Sequence, residues 1–256
     1  MAQSSQDTPA NLPTKPLKYS LPAYRNLVSK ERYAIRRIDS AMGQAGRLPA
    51  NDPMRRALLE STLLAIDSAL TGTDNPYFLV NKGDVLLMLG KPIAAEGYYR
   101  QAMAQLPGVA PLRRNHAKAC ADGAYEALAL GDSDQAIRLL HRYALADDSN
   151  RQAINLLVDW SLRRGVGLLR AHKDDLGKRT LRRAYAWQPN HYMVQLNLGI
   201  AHYRMQGFDS AIFYFARCAQ SNANDRAPAN YLNMIYTRMG KPKEAAKYAP
   251  PGLDGQ

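Results

Sequence analysis

One spacing recurs along this 256-residue chain and constrains its fold more than any other feature. From Gly199, a small residue, Ala211, follows 12 positions on, a bulky one, Phe215, 4 further, and a small one, Cys218, 3 further. From Gly83 the same steps reach Ala95, Tyr99 and Ala102; from Gly165 they reach Gly177, Leu181 and Ala184; from Ala124 they reach Ala136, Leu140 and Tyr143. A partial fifth copy has Asn233, 34 residues after Gly199, and Ala245 12 later. Gly165 and Gly199 are also 34 apart, whereas Gly83 to Ala124 and Ala124 to Gly165 are 41 each. The surplus is about two helical turns, so a longer helix absorbs it without changing faces.

The order of small and bulky residues reads as two antiparallel helices per unit. Gly199 is expected to face Ala211 so that the backbones approach closely, with Phe215 filling the gap one turn beyond. A glycine inside a helix costs roughly 1 kcal/mol against alanine, which close packing offsets. The links "LGKPIAA", "LGDSDQA" and "MGKPKEAA" place Gly90, Gly131 and Gly240 where a helix stops in a left-handed residue. Pro92 and Pro242 suit the first turn of the helix that follows. Gly207 in "QGFDSA" is expected to play a similar part, and the third unit has "AHKDD" with no glycine.

This pattern resembles the tetratricopeptide repeat (TPR) family of helical hairpins. "GDVLLMLGKPIAAEGYYRQAMAQLP" and "NLGIAHYRMQGFDSAIFYF" carry the resemblance, which covers roughly residues 75–248. The large aromatic that the family places early in its first helix is absent; Leu79 and Gln195 occupy the position. The resemblance implies an all-α, right-handed superhelical TPR solenoid of helical hairpins. Residues 73–248 form the array, with four full repeats and one partial. Residues 23–72 read as an N-terminal helical hairpin capping it, since terminal repeats are normally atypical. Its first helix is lined by Leu27, Val28, Ile35, Ile38 and Met42; its second starts at Asp52-Pro53 and carries Leu59, Leu63, Ile66 and Leu70. Residues 1–22 and 249–256 read as tails.

Catalytic chemistry is not expected. No nucleotide loop, nucleophile elbow or metal-ligand spacing stands out, and no two histidines are four apart. The five histidines read as surface or packing residues, and Cys120 and Cys218 as buried thiols. No metal and no cofactor are therefore expected. No apolar stretch is long enough to span a membrane. The polar start, with Pro9, Pro13 and Pro16, fits an ordinary terminus or the linker of an exported protein whose signal was replaced. A periplasmic, lipid-anchored or cytoplasmic location all remain open, as does the oligomeric state. The architecture is also similar to TPR lipoproteins that assist pili or secretion channels, which implies an assembly factor.

Two surfaces are candidates for function. The resemblance implies that first helices line a concave groove for a partner peptide. In this sequence the groove would hold Asn81, Tyr125, Arg163, Arg170, Asn197, Ile200, Tyr203, Arg204, Tyr231, Met234 and Arg238. Arg170, Arg204 and Arg238 are spaced 34 and 34, a ladder beside an apolar strip of Tyr203, Tyr231, Met193, Met234 and Ile200. The expected partner is a protein segment, acidic, extended or short-helical. The lysine–asparagine clamp with which chaperone-binding members hold terminal carboxylates is not in register. The second surface is a basic stripe, Lys178, Arg179, Arg182 and Arg183. With a net charge of 34 − 22 = +12, it suits nucleic acid or an anionic membrane. Aromatics are not interleaved with it in sequence, as stacking on bases would need.

Overall fold

The computed structural model describes residues 29–73, 75–146 and 150–249. The expected tail 1–22, Leu27 and Val28 of the first helix face, and all but residue 249 of the C-terminal tail lie outside these. Among the described residues there are twelve α-helices and no strand. They are α1 Ser29–Ala45, α2 Pro53–Leu70, α3 Pro76–Met88, α4 Pro92–Gln105, α5 Ala110–Ala129 and α6 Ser133–Ala146. Then come α7 Arg151–Arg170, α8 Asp174–Trp187, α9 Tyr192–Arg204, α10 Phe208–Ser221, α11 Ala227–Arg238 and α12 Pro242–Ala246. No helix is long and apolar enough to cross a membrane among the described residues.

The chain divides into two compact units, the first of residues 1–131 with 145–147 and the second of residues 132–144 with 148–256. In the first, α1 packs on α2, α2 on α3, α3 on α4 and α4 on α5. Ile35, Ile38 and Met42 from α1 meet Leu59 and Ile66 from α2, and Phe78 and Val85 from α3, in one buried cluster. In the second, α7 pairs with α8, α9 with α10 and α11 with α12, each helix also packing on the next. Ala211 and Phe215 of α10 share a core with Leu232 and Ile235 of α11. Both units are thus built from helical hairpins in sequence order, as the repeat implies.

The glycines do more than let backbones approach, as Gly177 does, where a Cβ would lie 3.2 Å from the Gly165 carbonyl oxygen. A Cβ on Gly199 would lie 2.6 Å from the ring of Phe215. A Cβ on Gly83 would lie 2.6 Å from the ring of Tyr99, and one on Gly165 2.6 Å from the side chain of Leu181. Each glycine is a socket for the bulky residue 16 positions later. Phe215, Tyr99 and Leu181 are all fully buried. Ala211 and Ala95 are also buried, but the first-helix glycine is needed by the ring. In the partial repeat Asn233 stands in the glycine's place, and its Nδ2 donates to the carbonyl of Ala245 at 2.8 Å.

Caps and turns follow local chemistry. Asp52 Oδ1 accepts from the Met54 N–H at 2.8 Å, with Pro53 opening α2. Asn75 and Asn150 cap α3 and α7 in the same manner. Gly90, Gly131 and Gly240 have φ of +70°, +79° and +69°, the expected left-handed stops. The third repeat uses His172 instead, with φ of +56°, and the fourth uses Gln206 at +59°. Gly207 is not the left-handed residue; its φ is −79°. After each of four helices the same bond closes the turn: Lys91, Lys173, Gly207 and Lys241 donate to the carbonyls of Leu86, Leu168, His202 and Tyr236.

The socket makes a measurable claim. Gly199→Ala should destabilise the chain by about 1–3 kcal/mol through overpacking, although alanine is the better helix former. Combined with Phe215→Leu its cost should shrink, so the two changes should couple in a double-mutant cycle by urea denaturation. Gly97→Ala, whose Cβ meets nothing within 4 Å inside α4, should stabilise by about 0.5–1 kcal/mol.

Candidate functional site

In the second unit, the 34-residue period aligns three rows across the first helices α7, α9 and α11. Arg163, Asn197 and Tyr231 form one row, Val166, Ile200 and Met234 the next, and Arg170, Arg204 and Arg238 the third. Met234 is 50% exposed, and Met193, one turn before Asn197, is 45% exposed. Ile200, Tyr203 and Tyr231 are half-buried. Tyr231 stacks on Phe215, with ring centroids 4.6 Å apart, and meets Tyr203 edge-on at 5.5 Å. The tyrosines are therefore held rigidly by the core while the methionine ends face solvent. Asn197 is buried, and its Nδ2 donates to the Met193 carbonyl at 2.7 Å.

The arginine row is not a ladder of free cations. Arg204 Nη1 donates to the Leu169 carbonyl at 2.6 Å, at the end of α7, and to Asp174 Oδ1 at 3.2 Å, at the start of α8. Arg204 thus ties its own hairpin to the turn of the preceding one. Arg238 reaches the equivalent place one repeat on, with its guanidinium 5.8 Å from the ring centre of Phe208, the first residue of α10. At this distance the contact is a cation–π attraction. The matching bond to α6 comes from Arg164, whose fork grips Asp134 at 2.7 Å, and not from Arg170. That pairing holds the Asp134 carboxyl below its usual range. Arg170 is exposed, and Arg163 is exposed and paired with Asp159 one turn back at 3.1 Å.

The basic stripe of α8 is partly neutralised. Asp175 bonds Arg179 at 2.9 Å and lies 3.5 Å from Lys178. Arg182 and Arg183 are exposed. The fold does bring aromatics to this surface from elsewhere in sequence. Tyr214 of α10 lies edge-on to Tyr185 at 5.4 Å, stacks with His202 at 5.7 Å, and meets the exposed Phe213 at 5.1 Å. Arg217 lies over Phe213. Burial, with Lys178 and Arg182 close by, pushes the His202 imidazole below its usual range.

In the first unit the expected groove residues fare differently. Tyr125 is exposed, but Asn81 is 92% buried, being 8% exposed, and its Nδ2 finds no hydrogen-bond partner. Asp84, one turn after Asn81 on α3, is buried between hairpins. Its Oδ1 accepts from the Tyr99 hydroxyl at 2.5 Å and from Asn115 Nδ2 at 2.9 Å. Burial pushes this carboxyl up to about 7, and the two hydrogen bonds only partly oppose it. Beside it lies a second buried polar group: Glu96 of α4 with His116 and Cys120 of α5. The expectation that every histidine sits on the surface or in plain packing does not describe His116. Its four-residue spacing from Cys120 was visible in the sequence; that Glu96 joins them was not. Both cysteines are buried, and neither is in a disulfide.

No family model matches the chain, and no curated protein matches it. Solved structures do. The crystal structure of MamA is 18% identical, with 65% of this chain and 89% of that chain covered at a TM-score of 0.36. YrrB, described as a TPR protein with an unusual peptide-binding site, is 14% identical, covering 72% and 88% at 0.35. PilF of Pseudomonas aeruginosa is 14% identical, covering 86% and 90% at 0.36. The fold is that of TPR-like helical hairpins. The similarity to these structures is loose, and the hairpin packing and turn geometry of this chain carry the assignment.

The buried carboxyl of Asp84 sets a pH dependence. Its folded value, about 7, lies above the model-compound value of 3.8, so the folded chain holds this proton where the unfolded chain has lost it. Its stabilisation is full below pH 3.8, falls as pH rises towards 7, and is flat above. Asp84→Asn keeps an acceptor for Tyr99 and removes the titration. Urea midpoints measured from pH 5 to pH 8 should fall less in Asp84→Asn than in the parent, since that range covers the upper part of the fall and the start of the plateau.

Proposed function

We propose that the chain is a non-catalytic protein-interaction scaffold that holds a short segment of a partner protein on the face of α7, α9 and α11. One observation carries this reading: Met234 and Met193 are open to solvent beside half-buried Ile200, Tyr203 and Tyr231, the tyrosines being held in place by the core. Tyrosine, methionine and arginine are the residue types enriched at the centres of interfaces. Side chains already ordered before binding lose little entropy on contact, so their buried area converts more fully into affinity. Arg238, ordered on Phe208, and the exposed Arg170 favour an acidic segment, extended or short-helical. Arg204 contributes less than its place in the period implies, because it already holds Asp174 and Leu169. An assembly role, of the kind implied by the architectural likeness to pilus and secretion-channel lipoproteins, suits such a scaffold.

A photo-reactive residue placed at Met234 should cross-link the partner in its native extract, and one placed at Phe213, exposed on α10, should not. Met234→Glu should then weaken the isolated partner by about tenfold or more, since burying one such side chain contributes roughly 1.5–3 kcal/mol. Its circular dichroism should be unchanged. Cross-linking through Phe213 alone, with binding that falls steeply with salt, would move the function to the basic and aromatic surface of α8 and α10.

A further inference from the structure

The first unit contains a side-chain cluster that the interaction face does not use. His116 and Cys120 are four residues apart on α5, one turn, so they share a face. Glu96 reaches them from the middle of α4. Their exposures are 7%, 0% and 5%. Glu96 Oε1 lies 3.2 Å from His116 Nε2, and Cys120 Sγ lies 3.6 Å from the same nitrogen. All three donor atoms fall within 4.8 Å of one another. We propose that Glu96, His116 and Cys120 form a buried site for a divalent transition-metal ion of the zinc type, pinning α4 to α5.

The spacing is what such an ion requires. With bonds of about 2.0–2.1 Å to nitrogen, 2.0–2.2 Å to oxygen and 2.3 Å to sulfur, the edges of a zinc tetrahedron are roughly 3.3–3.5 Å for N···O and 3.5–3.6 Å for N···S. The 3.2 Å and 3.6 Å separations are close to those edges; Cys120 Sγ also lies 4.0 Å from Nδ1, so closing the site takes a turn of the imidazole that aims Nε2 at the shared ion. The donor set also selects the ion. One thiolate, one imidazole and one carboxylate suit zinc and its neighbours, whereas magnesium and calcium take oxygen donors.

Charge gives a second reason. A thiolate and a carboxylate together neutralise a divalent ion, and a net-neutral cluster is the least costly one to bury. Arg100 also lies 3.5 Å from Glu96 Oε1, with its side chain 60% exposed. A ligating carboxylate commonly keeps such an outer partner at a metal site. Three protein donors leave the fourth position of a tetrahedral ion to water.

The test uses the whole chain. After stripping with a chelator and dialysis against zinc, one ion per chain should remain bound, and X-ray absorption at the zinc edge should show one sulfur neighbour. Loading with cobalt(II) should produce a thiolate-to-cobalt charge-transfer band in the near ultraviolet. Cys120→Ser should abolish the band and Cys218→Ser should keep it. Glu96→Gln, which preserves volume, should weaken zinc by at least about tenfold. Added zinc should raise the thermal midpoint of the parent. Absence of stoichiometric zinc, a zinc-edge spectrum with no sulfur neighbour, or a cobalt band that survives Cys120→Ser would overturn the proposal. The zinc-edge measurement on the parent chain decides the matter even if the variants fail to fold.

Discussion

A ring pressed against a bare α-carbon organises the hairpins. Phe215 and Tyr99 fill space that any side chain at Gly199 or Gly83 would occupy, and Leu181 does the same at Gly165. The contact sets how near the two helices of a hairpin lie and where along one the other sits. The remainder follows from it. Phe215, seated in its own hairpin, presents its other face to Tyr231 of the next helix, and Tyr231 meets Tyr203. The packing that builds one hairpin thus also places the aromatic side chains of the candidate interaction face.

The turns show a related economy. Arg204 and Arg238 occupy one repeat position and reach the start of the second helix in the preceding hairpin, one by hydrogen bonds to Leu169 and Asp174, the other by stacking on Phe208. Arg204 has thereby committed part of its fork, whereas Arg238 makes a cation–π contact. A periodic arginine is therefore first a connector between hairpins. The left-handed turn residues behave likewise. His172 and Gln206 adopt a backbone that glycine would adopt more cheaply, because the hydrogen bonds that close the turn impose it.

The first unit concentrates its buried polar chemistry between α3, α4 and α5. Asp84, Tyr99 and Asn115 form one group, and Glu96, His116 and Cys120 the other. Buried polar side chains are tolerated where each finds a partner, and these two groups meet that condition largely within themselves. Tyr99 links the two themes, since its ring fills the socket of Gly83 while its hydroxyl serves Asp84.

By itself the sequence determined the helical hairpins, their order, most caps and the left-handed glycines. Those features depend on residues close in sequence or on a spacing that repeats: Asp52 before Pro53, Gly90 before Pro92, and the 12- and 16-residue steps from Gly83 and Gly199. It also placed Met234 on the same row as Ile200. Only the tertiary structure decided that Gly83, Gly165 and Gly199 each seat the bulky side chain 16 residues on, that Arg164 and not Arg170 serves α6, that Asn81 and Asp84 are buried, and that Glu96 meets His116 and Cys120. The physical reason is common to all four. Periodicity states which face of a helix a residue occupies, whereas the length and rotamer of each side chain decide what it touches on a neighbouring helix, and that is a matter of packing in three dimensions.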